Sequence, residues 1–218
     1  NLTSTVGHLL SKLVDTGRLT AFTVTVKETD LQVQAQADLA AAARELVLEH
    51  RGYLEAYIRR HPAFLSTLAP WPLTGPAPDI VRDMVAAGAA AGVGPMAAVA
   101  GAIAAQVGQG LLAQSAEVVV ENGGDVFLKT AGTATVAVFA GDSPLSLMTG
   151  VRVDGGGSAC GVCTSSGTVG PSLSFGKADA VCVISPSCAL ADAAATAIGN
   201  RVRSGRDIHR AIEFGKGI

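Results

Sequence analysis

The sequence has little charge and no excess of one sign. Only 16% of its 218 residues are charged, and 16 Lys and Arg against 18 Asp and Glu leave a formal net charge of -2. A protein that binds duplex nucleic acid normally carries a basic excess, so that class is disfavoured. With 49% hydrophobic residues, the chain is instead expected to fold around a sizeable core.

The sequence also lacks an apolar run of the length that crosses a membrane. A spanning helix needs about 20 consecutive apolar residues, whereas the most hydrophobic region, 84–113, is interrupted by several glycines and by Pro95. We therefore expect two helices of a globular protein there. No secretory signal is visible and the four cysteines do not have the spacing of a disulfide scaffold, so we expect a cytoplasmic protein.

The cysteines lack the partners that a zinc site requires. Cys160 and Cys163 form a C-x-x-C pair, but Cys182 and Cys188 do not repeat this spacing and the four histidines lie far away in sequence. A thioredoxin-type pair begins a helix, whereas this segment is predicted to be a strand, in which residues three apart point to opposite faces. A metal or redox role is therefore the less favoured alternative for this pair.

The order of periodic segments predicts the fold class. Residues 19–36 alternate apolar and polar side chains and predict a β-hairpin. Helical periodicity follows at 38–61, with Asp38 as N-cap and Pro62 just past the end, and again from Asp79, expected to cap the next helix. Because hairpins and helices do not alternate strictly, we expect an α+β fold with antiparallel or mixed sheets flanked by helices.

Further strands are expected in the C-terminal half, where short apolar segments are separated by glycine turns, before a helix at 189–202 and a basic amphipathic tail at 206–218. The proline-rich stretch 63–78 is interpreted as a long loop, although a seam between two subdomains is the alternative. We expect a single domain over residues 1–218.

Three glycine-containing turns are candidates for ligand contacts. The hydroxyls and backbone N–H groups of Thr164–Gly170 suit a phosphate, although an ordinary polar turn is the alternative. The glycines of Asn122–Asp125 permit close approach of a ligand, but a plain hairpin turn is the favoured interpretation of this stretch alone. The turn before Pro95 begins a helix whose N–H groups favour an anion, unless its small residues serve only helix packing.

The helix near the C-terminus carries an unusual polar stripe. Asp192, Thr196 and Asn200 recur every four residues among alanines, so they lie on one face. A carboxylate and a hydroxyl one turn apart can share a hard cation such as Mg²⁺, with waters or substrate phosphates completing the shell. A stripe that merely faces solvent is the alternative.

These motifs occur in an order that resembles the ApbE superfamily, the Mg²⁺-dependent flavin transferases that move the FMN part of FAD onto a threonine of a target protein. The sequence is more closely similar to a cytoplasmic, uncharacterised ApbE-related family. The segments that carry this similarity are FTVTVKETDL, AGVGPMAAVAGAIA, VENGGDVFL, AGDSPLS, CTSSGTVG, SLSFGKADAV and ADAAATAIGN.

The resemblance implies an ApbE-like fold that binds FAD or FMN and Mg²⁺ and, where transfer occurs, a protein acceptor. It implies Asp192 and Thr196 as metal ligands. The residues expected to contact the phosphate-bearing ligand are Gly94, Pro95, Met96, Asn122, Gly123, Gly124, Asp125, Thr164, Ser165, Ser166, Gly167, Thr168 and Ser172.

One segment departs from the family pattern. The flavin transferases carry H-x-x-D-P-x-T-G where this chain reads GPSLSFGKAD, and Pro171 stands where the closer relatives are expected to have His. The remaining candidate bases are Asp125, Asp179 and Lys177. We therefore expect ligand binding without efficient FMN transfer. The alternative is a non-catalytic accessory protein that kept the fold, with the resemblance also suggesting a link to sulfur and homocysteine metabolism.

Overall fold

A computed structural model describes residues 19–168 and 174–218 and shows an α+β fold. The strands are β1 (Thr20–Val26), β2 (Thr29–Ala35), β3 (Val118–Asn122), β4 (Asp125–Lys129), β5 (Ala134–Ala137), β6 (Gly150–Val153), β7 (Cys160–Ser165) and β8 (Val181–Ser185). Six strands form one sheet in the order β1-β2-β3-β4-β7-β8, and β5 pairs with β6 in a second sheet. All of these pairs are antiparallel, which confirms the predicted fold class.

The helices lie between the strands as the periodicity predicted. The α-helices of the described residues are α1 (Ala40–Arg60), α2 (Asp79–Ala91), α3 (Val99–Leu111), α4 (Cys188–Gly199) and α5 (Ile208–Gly215). A 3₁₀ turn, Pro95–Ala98, leads into α3, and another, Pro62–Leu65, follows α1.

The predicted caps of α1 and α2 are each displaced by one residue. Leu39 holds the N-cap position of α1, and Asp38 accepts a hydrogen bond of 3.0 Å from the Ala40 N–H. Pro78 holds the N-cap position of α2, so Asp79 is the first helical residue and no side chain caps this end. Both differences arise because an acidic side chain interacts favourably with the N-terminus of a helix from the N-cap position and from the positions next to it.

The six-stranded sheet is buried on both faces at its centre. Val118 and Val120 of β3 pack with the helices in the main core, whereas Val119 packs with Val126 of β4 in a second cluster that includes β5 and β6. Consecutive β3 residues therefore face two different layers, as strand geometry requires. Phe64, from the proline-rich connection, is fully buried in the main core.

Close packing of β7, α3 and α4 positions the elements that carry the candidate site. A Cβ built on Gly161 of β7 would lie 2.7 Å from the Cys188 Cβ, and one on Gly101 of α3 would lie 2.5 Å from the Cys188 carbonyl oxygen. The predicted role of small residues on α3 in close helix packing is therefore confirmed. Only glycine permits these approaches without displacing α4.

No helix in the described part of the chain is by itself long and apolar enough to cross a membrane. The segments Asp79–Ala91 and Pro95–Leu111 would together have the length and composition, but they are bent by 106° relative to each other.

Glu121 is an acidic residue inside the sheet. It lies opposite Val126 on the face of β3 that also carries Val119, and only 6% of the residue is exposed. Loss of solvation raises its pKa from an ordinary value of 4.5 to about 8, so it holds a proton in the folded protein at neutral pH.

We expect Gly161→Ala to lower the free energy of unfolding by about 1–3 kcal/mol or more, because the new methyl group overlaps the start of α4. Gly157→Ala is the matched control, since nothing lies within 4 Å of a Cβ at that position. Urea unfolding of both variants measures the difference. Equal midpoints for the two variants would show that β7 and α4 do not approach this closely.

Glu121 makes stability depend on pH. Its folded pKa lies above its unfolded pKa, so the free energy of unfolding should fall as pH rises from about 4.5 to about 8 and level off above that. One pKa unit corresponds to about 1.4 kcal/mol, so the free energy of unfolding should change by at most several kcal/mol over this pH range. Urea midpoints at several pH values should show a shallower slope for Glu121→Gln, whereas the exposed-site control Glu45→Gln should keep the wild-type slope. An unchanged slope in Glu121→Gln would contradict this assignment.

Candidate functional site

The turn between β3 and β4 approaches the first turn of α3. Asn122 pairs with Asp125 across a two-residue turn in which Gly123 has a φ of +66°, a conformation that favours glycine. This is the geometry of a plain hairpin turn, the alternative to a ligand-binding turn for this segment. The Asn122 side chain also donates a hydrogen bond of 3.1 Å to the Ala100 carbonyl oxygen, so the turn is attached to α3.

Gly124 joins this turn to the end of β7. The Thr164 N–H donates to the Gly124 carbonyl oxygen at 2.9 Å, and a Cβ on Gly124 would lie 2.6 Å from the Thr164 carbonyl oxygen. The structure therefore brings the two predicted ligand motifs, Asn122–Asp125 and the segment from Thr164, into direct contact.

The hydroxyl-rich segment divides into a strand part and a turn part. Thr164 and Ser165 still pair with β8. Beyond them the Thr168 N–H donates to the Ser166 Oγ at 3.1 Å, and the two hydroxyl oxygens are 3.2 Å apart. Ser166, Gly167 and Thr168 thus form the polar turn at the end of β7. Ser172 lies outside the described residues.

Asp192 of α4 reaches the N-terminus of α3. Its Oδ2 accepts a hydrogen bond of 2.9 Å from the Gly101 N–H. The N-terminus of a helix carries a partial positive charge and unpaired N–H groups, which favour a carboxylate. The N-terminus that is predicted to favour an anion therefore binds a carboxyl group of its own chain.

Gly94, Pro95 and Met96 lie at the 3₁₀ turn before α3. A Cβ on Gly94 would lie 2.8 Å from the Thr67 carbonyl carbon, so this glycine is required by packing against the proline-rich connection. Pro95 is buried and Met96 packs against the main core. These three residues have packing roles here, in agreement with the plainer interpretation of that motif.

The predicted polar stripe is the less buried face of α4. Asp192, Thr196 and Asn200 are each partly exposed, while most of their neighbours on the helix are buried. Asn200 has a structural role as well, because its Oδ1 accepts a hydrogen bond of 2.8 Å from the Phe175 N–H. Asp192 and Thr196 lie one helical turn apart on this face, as their spacing predicts.

The β3–β4 turn, the end of β7 and the polar face of α4 form one cluster around the first turn of α3. Two carboxyl groups interact in this cluster. Burial raises the pKa of Asp125 to about 7, against a hydrogen bond with Cys163 that lowers it. Burial raises the pKa of Asp192 well above its usual range, and the Asp125 carboxyl adds to that rise. No Lys or Arg within residues 19–168 and 174–218 forms an ion pair with either group.

The donor chemistry fits a hard cation. Asp125, Asp192 and Thr196 offer only oxygen atoms, and Mg²⁺ is commonly held by one or two carboxylates with waters and substrate phosphates in the remaining positions. Within the described residues no group of three or more His, Cys, Asp or Glu side chains could hold a metal ion by itself. These side chains therefore do not form a closed structural metal site.

Two of the four cysteines, Cys163 and Cys188, lie beside this cluster. Cys163 packs in the main core, with its Sγ 3.6 Å from the Cys188 Sγ, and it faces Asp125 across the β4–β7 pair. Cys160 packs on the opposite face of β7, as predicted from strand geometry. All four cysteines are free.

Sequence reasoning did not identify Ala100, Gly101 and Cys188 as neighbours of the cluster. Their contributions come mainly from the backbone: the Ala100 carbonyl binds Asn122, the Gly101 N–H binds Asp192, and the Cys188 carbonyl accepts from Cys163 at 3.4 Å. Backbone groups carry no residue-type signature. Only Gly101, a glycine inside a predicted helix, gave a signal of close approach.

The described residues adopt a fold similar to that of a solved flavinyl transferase. The crystal structure of Pseudomonas stutzeri flavinyl transferase ApbE, in its apo form, matches with a TM-score of 0.51 over 83% of each chain. The two sequences are 16% identical, so this similarity shows the fold alone.

Comparison of sequences gives the family. A UPF0280 protein of Methanocella arvoryzae is 44% identical over 194 residues, which cover 88% of this chain and 79% of that protein. A UPF0280 protein of Methanocaldococcus jannaschii is 43% identical over 187 residues, covering 84% and 75%. The model of the family described as AbpE bacteria matches residues 11–213. The chain therefore belongs to this ApbE-related family, together with the UPF0280 proteins.

Proposed function

We propose that the protein binds a flavin nucleotide, or another phosphate-bearing ligand, together with Mg²⁺ at the cluster around the first turn of α3. One observation carries this proposal. Asn122 and Asp192 are 70 residues apart in sequence. Asn122 donates a hydrogen bond to the Ala100 carbonyl oxygen, and Asp192 accepts one from the neighbouring Gly101 N–H. Two predicted motifs, the glycine turn and the α4 stripe, thereby meet at one place.

Each part of the cluster suits a different part of such a ligand. The hydroxyls and N–H groups of Ser166–Thr168 suit phosphate oxygens. Asp192 and Thr196 would hold the cation, with Asp125 near enough to interact with Asp192 electrostatically. The cation would neutralise both these carboxylates and the phosphates, which otherwise repel each other.

The family supports a flavin as the ligand. The structurally similar protein from Pseudomonas stutzeri is a flavinyl transferase, and this chain belongs to an ApbE-related family. The UPF0280 relatives carry no description of activity in their names. The flavin therefore rests on the ApbE relationship, and the phosphate and cation rest on the geometry of this chain.

A second candidate function is FMN transfer to a protein hydroxyl, favoured by the burial of Asp125. Transfer requires a base for the attacking hydroxyl, and a carboxyl group with a pKa of about 7 is a better base than an ordinary aspartate. A cation at Asp192 would nevertheless favour the ionised form of Asp125 and lower its pKa again. Binding without efficient transfer therefore remains the first proposal.

The cation prediction is tested with Asp192→Asn. This variant keeps an oxygen to accept from the Gly101 N–H and removes the charge, so the fold should survive better than in Asp192→Ala. The wild-type protein should gain about 2.7 kcal/mol of stability when FAD is present at a hundredfold excess over Kd with Mg²⁺. We expect the wild-type protein to lose most of that gain when a chelator is added. We expect Asp192→Asn to show little gain whether or not Mg²⁺ is present.

Asp83→Asn is the matched control, because Asp83 lies on α2, accepts a hydrogen bond from Gln106 and is not one of the proposed ligands. It should retain the Mg²⁺-dependent gain. Thermal unfolding with and without FAD, Mg²⁺ and chelator measures all three proteins. Wild-type protein that binds FAD equally well in chelator would show that no cation takes part.

Transfer is tested by incubating the protein with FAD, Mg²⁺ and an acceptor domain of the type that ApbE flavin transferases modify. We expect intact-mass analysis to show little or no acceptor that has gained FMN, since His50, His61 and His209 lie on or beside α1 and α5 and not in the segments that form the cluster. Robust modification that disappears in Asp125→Asn would instead establish the second candidate function.

A further inference from the structure

The segment 174–178 lies against the hydroxyl turn at the end of β7. The Gly167 N–H donates to the Ala178 carbonyl oxygen at 2.9 Å, and the Lys177 N–H donates to the Val202 carbonyl oxygen at 2.7 Å. This segment is therefore attached on one side to the turn and on the other to the end of α4.

Glycines make the contact unusually close. A Cβ on Gly167 would lie 2.9 Å from the Gly176 carbonyl carbon and 3.2 Å from the Lys177 Cα. A Cβ on Gly176 would lie 2.7 Å from the Gly199 carbonyl carbon. The backbone of Lys177 is thus held directly beside the Ser166–Thr168 turn, and its position does not depend on its own side chain.

The Lys177 side chain is exposed and makes no ion pair with any residue in the two described ranges. Some other surface cations do form ion pairs, such as Lys27 with Glu55 and Lys216 with Glu213. The ammonium group of Lys177, on its flexible four-carbon stem, is available to an external anion.

We propose that Lys177, together with the Ser166–Thr168 turn, binds a phosphate group of the ligand. This inference rests on the proposed function. It adds a positively charged side chain of the protein beside the phosphate group of the ligand. The acidic side chains at the other part of the cluster, Asp125 and Asp192, offer no positive charge to an anion. Hydroxyls donate hydrogen bonds to a phosphate but carry no positive charge, whereas the lysine ammonium group adds a full positive charge beside it.

The inference also specifies the class of ligand. A lysine beside a hydroxyl turn distinguishes ligands by their phosphate and contributes nothing to a neutral ring system. FMN, FAD and inorganic pyrophosphate should therefore all use Lys177, whereas riboflavin, which has the same ring system as FMN and no phosphate, should not.

The test compares Lys177→Gln, Lys177→Arg and the control Lys129→Gln, which removes the same charge from the far end of β4. Affinities for FMN, inorganic pyrophosphate and riboflavin are measured by titration at two salt concentrations. We expect Lys177→Gln to bind FMN and pyrophosphate about tenfold more weakly and with less salt dependence, as loss of a charge-assisted hydrogen bond predicts. Lys177→Arg should restore most of the affinity, and Lys129→Gln should behave as wild type.

The outcomes separate this inference from the proposed function. If wild-type protein binds the phosphate-bearing ligands and Lys177→Gln binds them equally well, the role of Lys177 is wrong and the proposed function stands. A riboflavin affinity that falls as much as the FMN affinity would also overturn it, because the residue would then act only through the fold. Wild-type protein that binds neither FMN nor pyrophosphate would overturn both.

Discussion

The hydrogen bond between the Asp192 carboxylate and the Gly101 N–H connects the parts of the candidate site. It joins α4 to the N-terminus of α3, at a point where only a glycine permits the two helices to approach so closely. The neighbouring carbonyl of Ala100 holds Asn122, and hence the β3–β4 turn. A larger residue at position 101 would displace Asp192, and the motifs carried by α4 and by the sheet would no longer meet.

This arrangement has an electrostatic consequence. Asp125 is buried, and the Asp192 carboxyl group beside it is desolvated although part of that residue is exposed; this loss of solvation together with their mutual repulsion raises the pKa of Asp192. The N-terminus of α3 opposes that rise by donating backbone hydrogen bonds to Asp192. Two carboxyl groups that lack a basic partner in the described residues are costly for folding alone. In the proposed function, a bound cation would relieve this cost.

Acidic and basic side chains lie at different parts of the candidate site. The carboxylates lie at the β4 and α4 side, and Lys177 lies beside the turn that ends β7. A ligand that carries both a phosphate and a cation could contact both sides at once, whereas a neutral molecule would gain little from either. Specificity for charge would then come from the placement of a few residues, while the net charge of the whole chain stays near zero.

The α+β class, the β1–β2 hairpin and most helix positions follow from the sequence, because apolar periodicity reflects which side of an element is buried. The stripe of Asp192, Thr196 and Asn200 was also visible, since helical spacing alone places these residues on one face. Helix starts were displaced by one residue, because Asp38 and Asp79 serve the first turn from either side of the boundary.

What the sequence by itself determined is therefore the local geometry of each motif and the family to which the motifs point. Only the tertiary structure decided which motifs meet. Gly94–Met96 has a packing role, Asp192 accepts from α3, and Lys177 lies beside Gly167. These contacts join residues about 10 to 90 positions apart through backbone groups, which every residue type carries alike. No pattern of side chains along the chain records them.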